Sequence, residues 1–119
     1  MVHYKISYFD ARSLGEPVRL ILKYANVPFE DDRIPKDQWP TRKLGMPYNQ
    51  IPVLWVDGIP LAQSYAIYRF LAKKYGLAGK DDFESAQIDE IADFHKDVTA
   101  ELSQYLYKKL GFVPGNAVC

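Results

Sequence analysis

Residues 49–64 read NQIPVLWVDGIPLAQS, and the positions with chemical potential stand at the two ends of this stretch. Gln63 and Ser64 come just before a helical pattern. A helix start offers unpaired backbone N–H groups and the positive end of the helix dipole, so this pair could hold an anion. Serine is also a preferred helix cap, and one residue can fill both roles. At the other end Pro52 opens a strand, where taken alone it is a permitted first residue. Lys43 and Arg12, read by themselves, are solvated surface cations, and Asp97 is a solvated carboxylate on a polar helix face. Position alone does not separate Tyr8 from the other tyrosines, of which the chain has 9 in all.

Other chemistries are excluded more firmly. The one cysteine, Cys119, allows no intrachain disulfide, no two-cysteine redox motif and no cysteine-based zinc site, and it suits a reducing compartment. His3 and His95 have no partner at metal-ligand spacing, so no metal is expected. Lys plus Arg and Asp plus Glu each number 15. The resulting zero net charge gives no pull towards nucleic acid or an anionic membrane. No apolar run approaches the roughly 20 residues needed to span a bilayer. The opening MVHYKISYFD lacks the apolar core of a secretory signal. With 119 residues, 48% of them hydrophobic, the chain can build one globular domain, or one domain and part of another.

The elements that must position these residues follow from periodicity. In HYKISY, Tyr4, Ile6 and Tyr8 share one face and His3, Lys5 and Ser7 the other, which predicts a strand. Pro17 suits a first helical turn, and Val18, Ile21, Leu22 and Ala25 form an apolar stripe behind it. Asn26 ends that helix and Pro28 prevents its return. FEDDRI is a second short strand, so the first part of the chain is a βαβ unit with parallel strands and a right-handed crossover. Residues 35–48 hold three prolines and a glycine and predict an irregular loop or a single helical turn. Asp57-Gly58 is a two-residue hairpin turn, and Pro60 marks the following strand as an edge. Ile67, Phe70, Leu71 and Tyr75 predict another helix, stopped by Gly76.

Residues 1–75 thus read as one α/β domain and 76–82 as a linker. In residues 83–119, Ile88, Ile91, Ala92, His95, Val98, Leu102, Tyr105 and Leu106 form one long helical stripe, ended by Gly111 and Pro114. A lone helix of that length, roughly 40 Å, with one wide apolar face requires a packing partner.

The order β-α-β, then β-β-α, describes a thioredoxin-like N-terminal domain. YKISYFD.R...EPVRL, WP..K and NQIPVL.VDG..L.QS.AI.R.L, together with an acidic residue on the long helix, carry a more specific resemblance. The chain resembles a glutathione transferase, of the sigma class and above all its nematode members. Tyr8, Trp39 and Lys43 favour that class. The resemblance runs from about residue 2 to residue 110. It implies an all-α C-terminal domain, of which only the first long helix is represented.

The resemblance also implies a site. Gln63 and Ser64 hold the γ-glutamyl carboxylate of glutathione, and a cis Pro52 presents the Ile51 backbone to its cysteine as an added strand. Trp39 and Lys43 meet the glycine end, with polar contacts from Asn49 and Gln50; some relatives carry a lysine where this chain has Gln50. Tyr8 is the catalytic residue, donating a hydrogen bond that stabilises the thiolate. Arg12 adds positive potential near the sulfur, whereas Leu14 stands where close relatives carry a second arginine. Asp97 reaches the γ-glutamyl ammonium across a homodimer, and Tyr48 stands where some classes place an aromatic key at the dimer edge.

The implied function is cytoplasmic conjugation of glutathione, as co-substrate, to small hydrophobic electrophiles, that is, detoxification. The alternatives are a non-catalytic glutathione-binding relative, like the lens crystallins, and a glutathione-dependent prostaglandin isomerase.

Overall fold

The alternating run at the N-terminus forms strand β1 (Tyr4–Phe9), which pairs on both of its edges. In the computed structural model, which describes residues 2–110, strand β2 (Phe29–Ile34) lies parallel to β1, from Tyr4↔Phe29 to Phe9↔Ile34. Strand β3 (Val53–Val56) lies antiparallel on its other side, with Tyr4 opposite Val56 and Ser7 opposite Val53. Strand β4 (Ile59–Ala62) completes the sheet in the order β2-β1-β3-β4. This is the mixed sheet of a thioredoxin-like fold.

The turn between β3 and β4 is Asp57-Gly58, with φ of 50° and 84°. Both values are positive, as the tightest right-twisted hairpins require. Val56 pairs with Ile59 and Trp55 with Pro60. In a two-residue hairpin the first pair is the hydrogen-bonded one, so Pro60 occupies a position whose missing N–H faces the free edge.

Helix α1 (Glu16–Tyr24) makes the crossover from β1 to β2, with Pro17 in its first turn. It ends as expected: Asn26 adopts a left-handed φ of 56°, and the Val27 N–H donates to the Leu22 carbonyl at 3.0 Å. Helices α1 and α3 (Ser64–Lys74) supply Val18, Leu22, Ile67 and Leu71 to a core shared with Tyr4, Ile6 and Leu54. All seven are fully buried. Each such aliphatic side chain contributes about 1.5–3 kcal/mol. Phe70, expected on the helical stripe, lies instead at its exposed margin.

Residues 35–50 are more regular than the sequence predicts. They form consecutive short turns: a 3-10 turn at Lys36–Gln38, helix α2 (Trp39–Arg42), and 3-10 turns at Lys43–Gly45 and Pro47–Asn49. Pro35, Pro40 and Pro47 explain this, since each stands just before or within the first two residues of a turn, where a proline starts a helix but cannot continue one. These turns cover the second sheet face, where Ile34, Met46 and Val53 pack with Trp39, Ile51 and Trp55. The cover corrects a second expectation: Ser7, on the polar face of its strand, is fully buried.

The chain divides into two compact units, Met1–Leu77 and Ala78–Cys119. The second holds helix α4 (Asp82–Leu110). Its start is capped on both sides: the Asp81 carboxylate accepts from the Glu84 N–H at 2.8 Å, and the Glu84 carboxylate reaches back to the N–H of Lys80, the residue before the cap, at 3.1 Å. Ile88, Ile91, Val98 and Leu102 of the expected stripe are exposed. The Leu106 side chain and Gly111, Pro114 and Cys119 lie outside the described residues. No helix among the described residues is long and apolar enough to cross a membrane.

Candidate functional site

Tyr8 stands near the C-terminal end of β1 on the face packed by α1 and α3, with only 3% of its surface exposed. The chain then passes over the ring. At Gly15 an added Cβ would lie 2.6 Å from the Tyr8 side chain, so only glycine permits that approach. The Leu14 N–H donates to the Tyr8 hydroxyl oxygen at 3.4 Å. The phenol oxygen thereby has a donor of its own, and its proton remains available for an acceptor.

A buried arginine holds this turn. Arg19, 2% exposed, donates to the carbonyls of Ala11 at 2.7 Å and Phe9 at 3.1 Å. It pairs with Asp31 at 3.0 Å and Glu16 at 3.3 Å. Its guanidinium lies 5.9 Å from the centroid of the Tyr8 ring. Sequence spacing does not mark it, since Arg19 falls outside the stripe of Val18, Ile21, Leu22 and Ala25.

The helix start is built differently from the expectation for a capping serine. Gln63 occupies the N-cap position, without a side-chain cap, and Ser64 is the first helical residue. The Ser64 hydroxyl instead hydrogen-bonds Tyr68, one turn along. Tyr68 in turn donates to the Leu14 carbonyl. Burial pushes the Tyr68 phenol well above its ordinary value, and the neighbouring Tyr65 and Tyr8 add to this against the opposing bond from Ser64. Tyr68 is therefore a permanent donor. A continuous hydrogen-bonded path runs from Ser64 through Tyr68 and Leu14 to Tyr8. Neither Tyr68 nor the Leu14 backbone was marked by sequence spacing.

The two ends of the opening stretch meet. The Gln63 side-chain amide donates to the Gln50 side-chain oxygen at 3.3 Å. The Ile51-Pro52 bond is cis. Ile51 precedes β3, and among the described residues it makes no backbone–backbone hydrogen bond. Gln63 has φ 73° and ψ 115°, and Tyr48 and Asn49 have φ of 56° and 53°. Such values are costly for residues with side chains and concentrate at functional sites.

Trp39 packs edge-on against Phe9 at 5.4 Å, and Phe9 lies 5.6 Å from the Tyr8 ring. Lys43 and Asn49 are exposed on the turns between α2 and β3. Arg12 is exposed in the turn after β1. Tyr8, Trp39, Gln50, Ile51, Pro52, Gln63 and Ser64 thus lie towards one end of the sheet, where β1 and β4 finish and β3 begins, with Arg12, Lys43 and Asn49 on exposed turns. Asp97 is exposed on α4, in the second unit.

Beneath α2 lies a polar group on three strands. The Trp55 indole N–H donates to the Ser7 hydroxyl at 3.0 Å, and Ser7 donates to Asp32 at 2.7 Å. Arg42 forms an ion pair with the same carboxylate. Burial alone would raise the Asp32 carboxyl. The bonds from Arg42 and Ser7, with the charges of Arg42 and Lys5, outweigh it and hold the group below its ordinary value. Among the described residues no cluster of His, Cys, Asp and Glu could hold a metal ion.

Comparison with known proteins places this geometry. Residues 4–73 match the family described as "Glutathione S-transferase, N-terminal domain". The chain is 50% identical over 116 residues to "Probable glutathione S-transferase 7" of Caenorhabditis elegans, covering 98% of this chain and 56% of that protein. It superposes on the crystal structure of monomeric Na-GST-3, a glutathione S-transferase of the hookworm Necator americanus, with a TM-score of 0.86 and 48% identity, over 97% of this chain and 56% of that one. It is also similar to prostaglandin synthase D of Nilaparvata lugens, with a TM-score of 0.85 and 45% identity, over 92% of this chain and 56% of that one. The chain spans about half the length of the relatives it matches.

Proposed function

The chain belongs to the glutathione S-transferase family, and from that premise we propose that it binds glutathione and presents its thiolate to small hydrophobic electrophiles. The observation that carries this reading is the Leu14 N–H donated to the Tyr8 oxygen. It occupies one acceptor site of the phenol oxygen and leaves the hydroxyl proton for a further acceptor. A free thiol with a pKa near 8.5 is only a few per cent ionised at pH 7. A fixed phenol donor favours the anion, and a drop of roughly two units, about 2.7 kcal/mol, makes most of the thiol reactive near neutrality. The thiolate then attacks the electrophilic carbon, forming a C–S bond as the leaving group departs with its electron pair. Tyr8 acts as a donor throughout and not as the base.

The remaining roles follow the peptide. The γ-glutamyl carboxylate sits at the start of α3, on Gln63 and Ser64, where the first N–H groups of the helix point outwards. The free Ile51 backbone pairs with the cysteine of glutathione, and Trp39, Lys43, Asn49 and Gln50 serve its glycine end. Arg12 contributes positive potential near the sulfur.

Sigma-class membership and a cytoplasmic setting belong to the same proposal, the latter because a single cysteine suits a reducing compartment. So do a glutathione-binding domain at 1–75, joined through 76–82 to a partial helical domain at 83–119, and a homodimer in which Asp97 serves the neighbouring site. Monomeric Na-GST-3 is the counterexample among the relatives, and sedimentation of the chain decides the point.

Glutathione binding is tested by the thiolate absorbance that develops when glutathione is added to the chain. It is expected to vanish in Tyr8→Phe while retention on immobilised glutathione persists. A wild-type chain that is not retained overturns the reading. A second reading, prostaglandin isomerisation, is favoured by the similarity to prostaglandin synthase D. It uses the same thiolate, and an isomerase product assay separates it from conjugation.

A further inference from the structure

We infer that Asp32, Ser7 and Trp55 form a cross-strand polar ladder that grips Arg42 and thereby fixes α2, so that Trp39 and Lys43 meet the glycine end of glutathione in one position. This rests on the assignment of Trp39 and Lys43 made above. Asp32 of β2 is directly opposite Ser7 of β1, and Trp55 of β3 is opposite Lys5, two residues before Ser7. The three side chains therefore share one face of three adjacent strands. The donors converge on Asp32: the indole N–H on the Ser7 oxygen at 3.0 Å and the Ser7 O–H on Asp32 at 2.7 Å from one side, and the Arg42 guanidinium on both carboxylate oxygens from the other. Bonds aligned in this way polarise one another. The Lys5 ammonium, 5.1 Å from the centre of the Trp55 ring, adds charge of the same sign as Arg42.

The segment that receives this grip needs one. The backbone bonds of its turns are local, such as Gln38 to Pro35, Met46 to Lys43 and Gln50 to Pro47. Four short turns joined in series have little stiffness of their own. Apolar contact of Trp39 and Met46 with Ile34 and Val53 holds the segment down without fixing its rotation. The Arg42–Asp32 pair does fix it, because a guanidinium and a carboxylate meet in a defined plane. Trp39 and Arg42 bound α2, and Lys43 follows directly. A turn held at Arg42 thus carries both residues. Asp32 and Arg42 are positioning residues on this account, since neither touches the peptide.

The test compares glutathione with γ-glutamylcysteine, which lacks the glycine. Both are titrated calorimetrically into the 119-residue chain and into Lys43→Gln, Asp32→Asn and Arg42→Gln. The two ladder variants are expected to weaken glutathione about five- to tenfold, the scale of one ordinary hydrogen bond, and to leave γ-glutamylcysteine within about twofold. Equal loss of both ligands in a folded variant, or loss of neither, overturns the ladder as a positioning device. If Lys43→Gln abolishes the discrimination and the ladder variants keep it, the ladder alone falls. If Lys43→Gln leaves the discrimination intact, the glycine-end assignment falls and the ladder with it. A wild-type chain that binds neither ligand overturns both. Arg42→Gln, which alters a partly exposed side chain, decides the matter should Asp32→Asn fail to fold.

Discussion

At one end of the candidate site Tyr8 is enclosed by Gly15, the Leu14 N–H and the Arg19 guanidinium, all within or beside the turn from β1 into α1. At the other end Lys43 is exposed on a string of short turns, and the nearest fixed charge pair is that of the preceding residue, Arg42. The first end has its geometry set by backbone and packing. The second is set by one ion pair and an apolar patch. The difference matches the tasks assigned to them. A donor aimed at a sulfur loses most of its effect if displaced by an ångström, whereas a cation serving a carboxylate tolerates more, because charge attraction falls slowly with distance.

Four changes would break or sharpen this contrast. The largest effect is expected from Gly15→Ala. Its Cβ would fall 2.6–2.9 Å from three atoms of the Tyr8 side chain. Overpacking of this kind costs about 1–3 kcal/mol, so the melting temperature should fall by several degrees and the bound-thiolate absorbance by tenfold or more. An unchanged thiolate signal would mean that the Tyr8 end is not held as tightly as described.

Tyr68→Phe comes next. It removes the donor to the Leu14 carbonyl and the partner of Ser64. A loss of about 1–2 kcal/mol in thermal unfolding is expected, with a rise of under one unit in the pKa of the bound thiol. A thiol titration identical to wild type would detach Tyr68 from the site.

Lys43→Gln should be milder still, leaving stability unchanged and weakening glutathione about five- to tenfold, as the ladder variants do. Wild-type affinity is expected to fall between low salt and 1 M salt, and the variant's to change less, as screening of an exposed pair requires. Equal salt dependence would remove Lys43 from the contact.

The smallest effect concerns acid. The folded Asp32 carboxyl titrates below its ordinary value, so the stability it contributes is complete above about pH 4 and is lost as pH falls through the folded value. Because the side chain is partly exposed, Asp32→Asn should flatten acid unfolding by no more than about 1 kcal/mol in this window. An acid transition with the same slope in both proteins would deny Asp32 this share.

The strands, the hairpin and the helix ends were legible because their signals are local: period-two alternation at Tyr4, Ile6 and Tyr8, the Asp57-Gly58 turn, and Asn26 and Gly76 past helix ends. The residues proposed for the site are marked by a resemblance in specific motifs, and most of them lie towards one end of the sheet. What escaped depends on register and on distant partners. Ser7 looks solvent-facing until β2 and β3 are aligned beside it, and Arg19 looks like a surface cation until Asp31, twelve residues on, lies next to it. Ser64 suits a cap by residue type but stands one position past it, and its competing partner, Tyr68, sits on its own helix, where sequence spacing gives no sign of which bond wins.

The ladder of Trp55, Ser7 and Asp32 also bears on how the sheet is assembled. A strand that slips by one residue still finds backbone partners, but every side chain changes face. Were β3 to slip against β1, Trp55 would leave the Ser7 hydroxyl, and a buried acceptor without its donor costs about 1–3 kcal/mol. Were β2 to slip, Asp32 would lose Ser7 and Arg42 together. A mispaired sheet is thus penalised at a single point where all three strands are read at once, and the ladder acts as a proofreader of strand alignment before any ligand arrives.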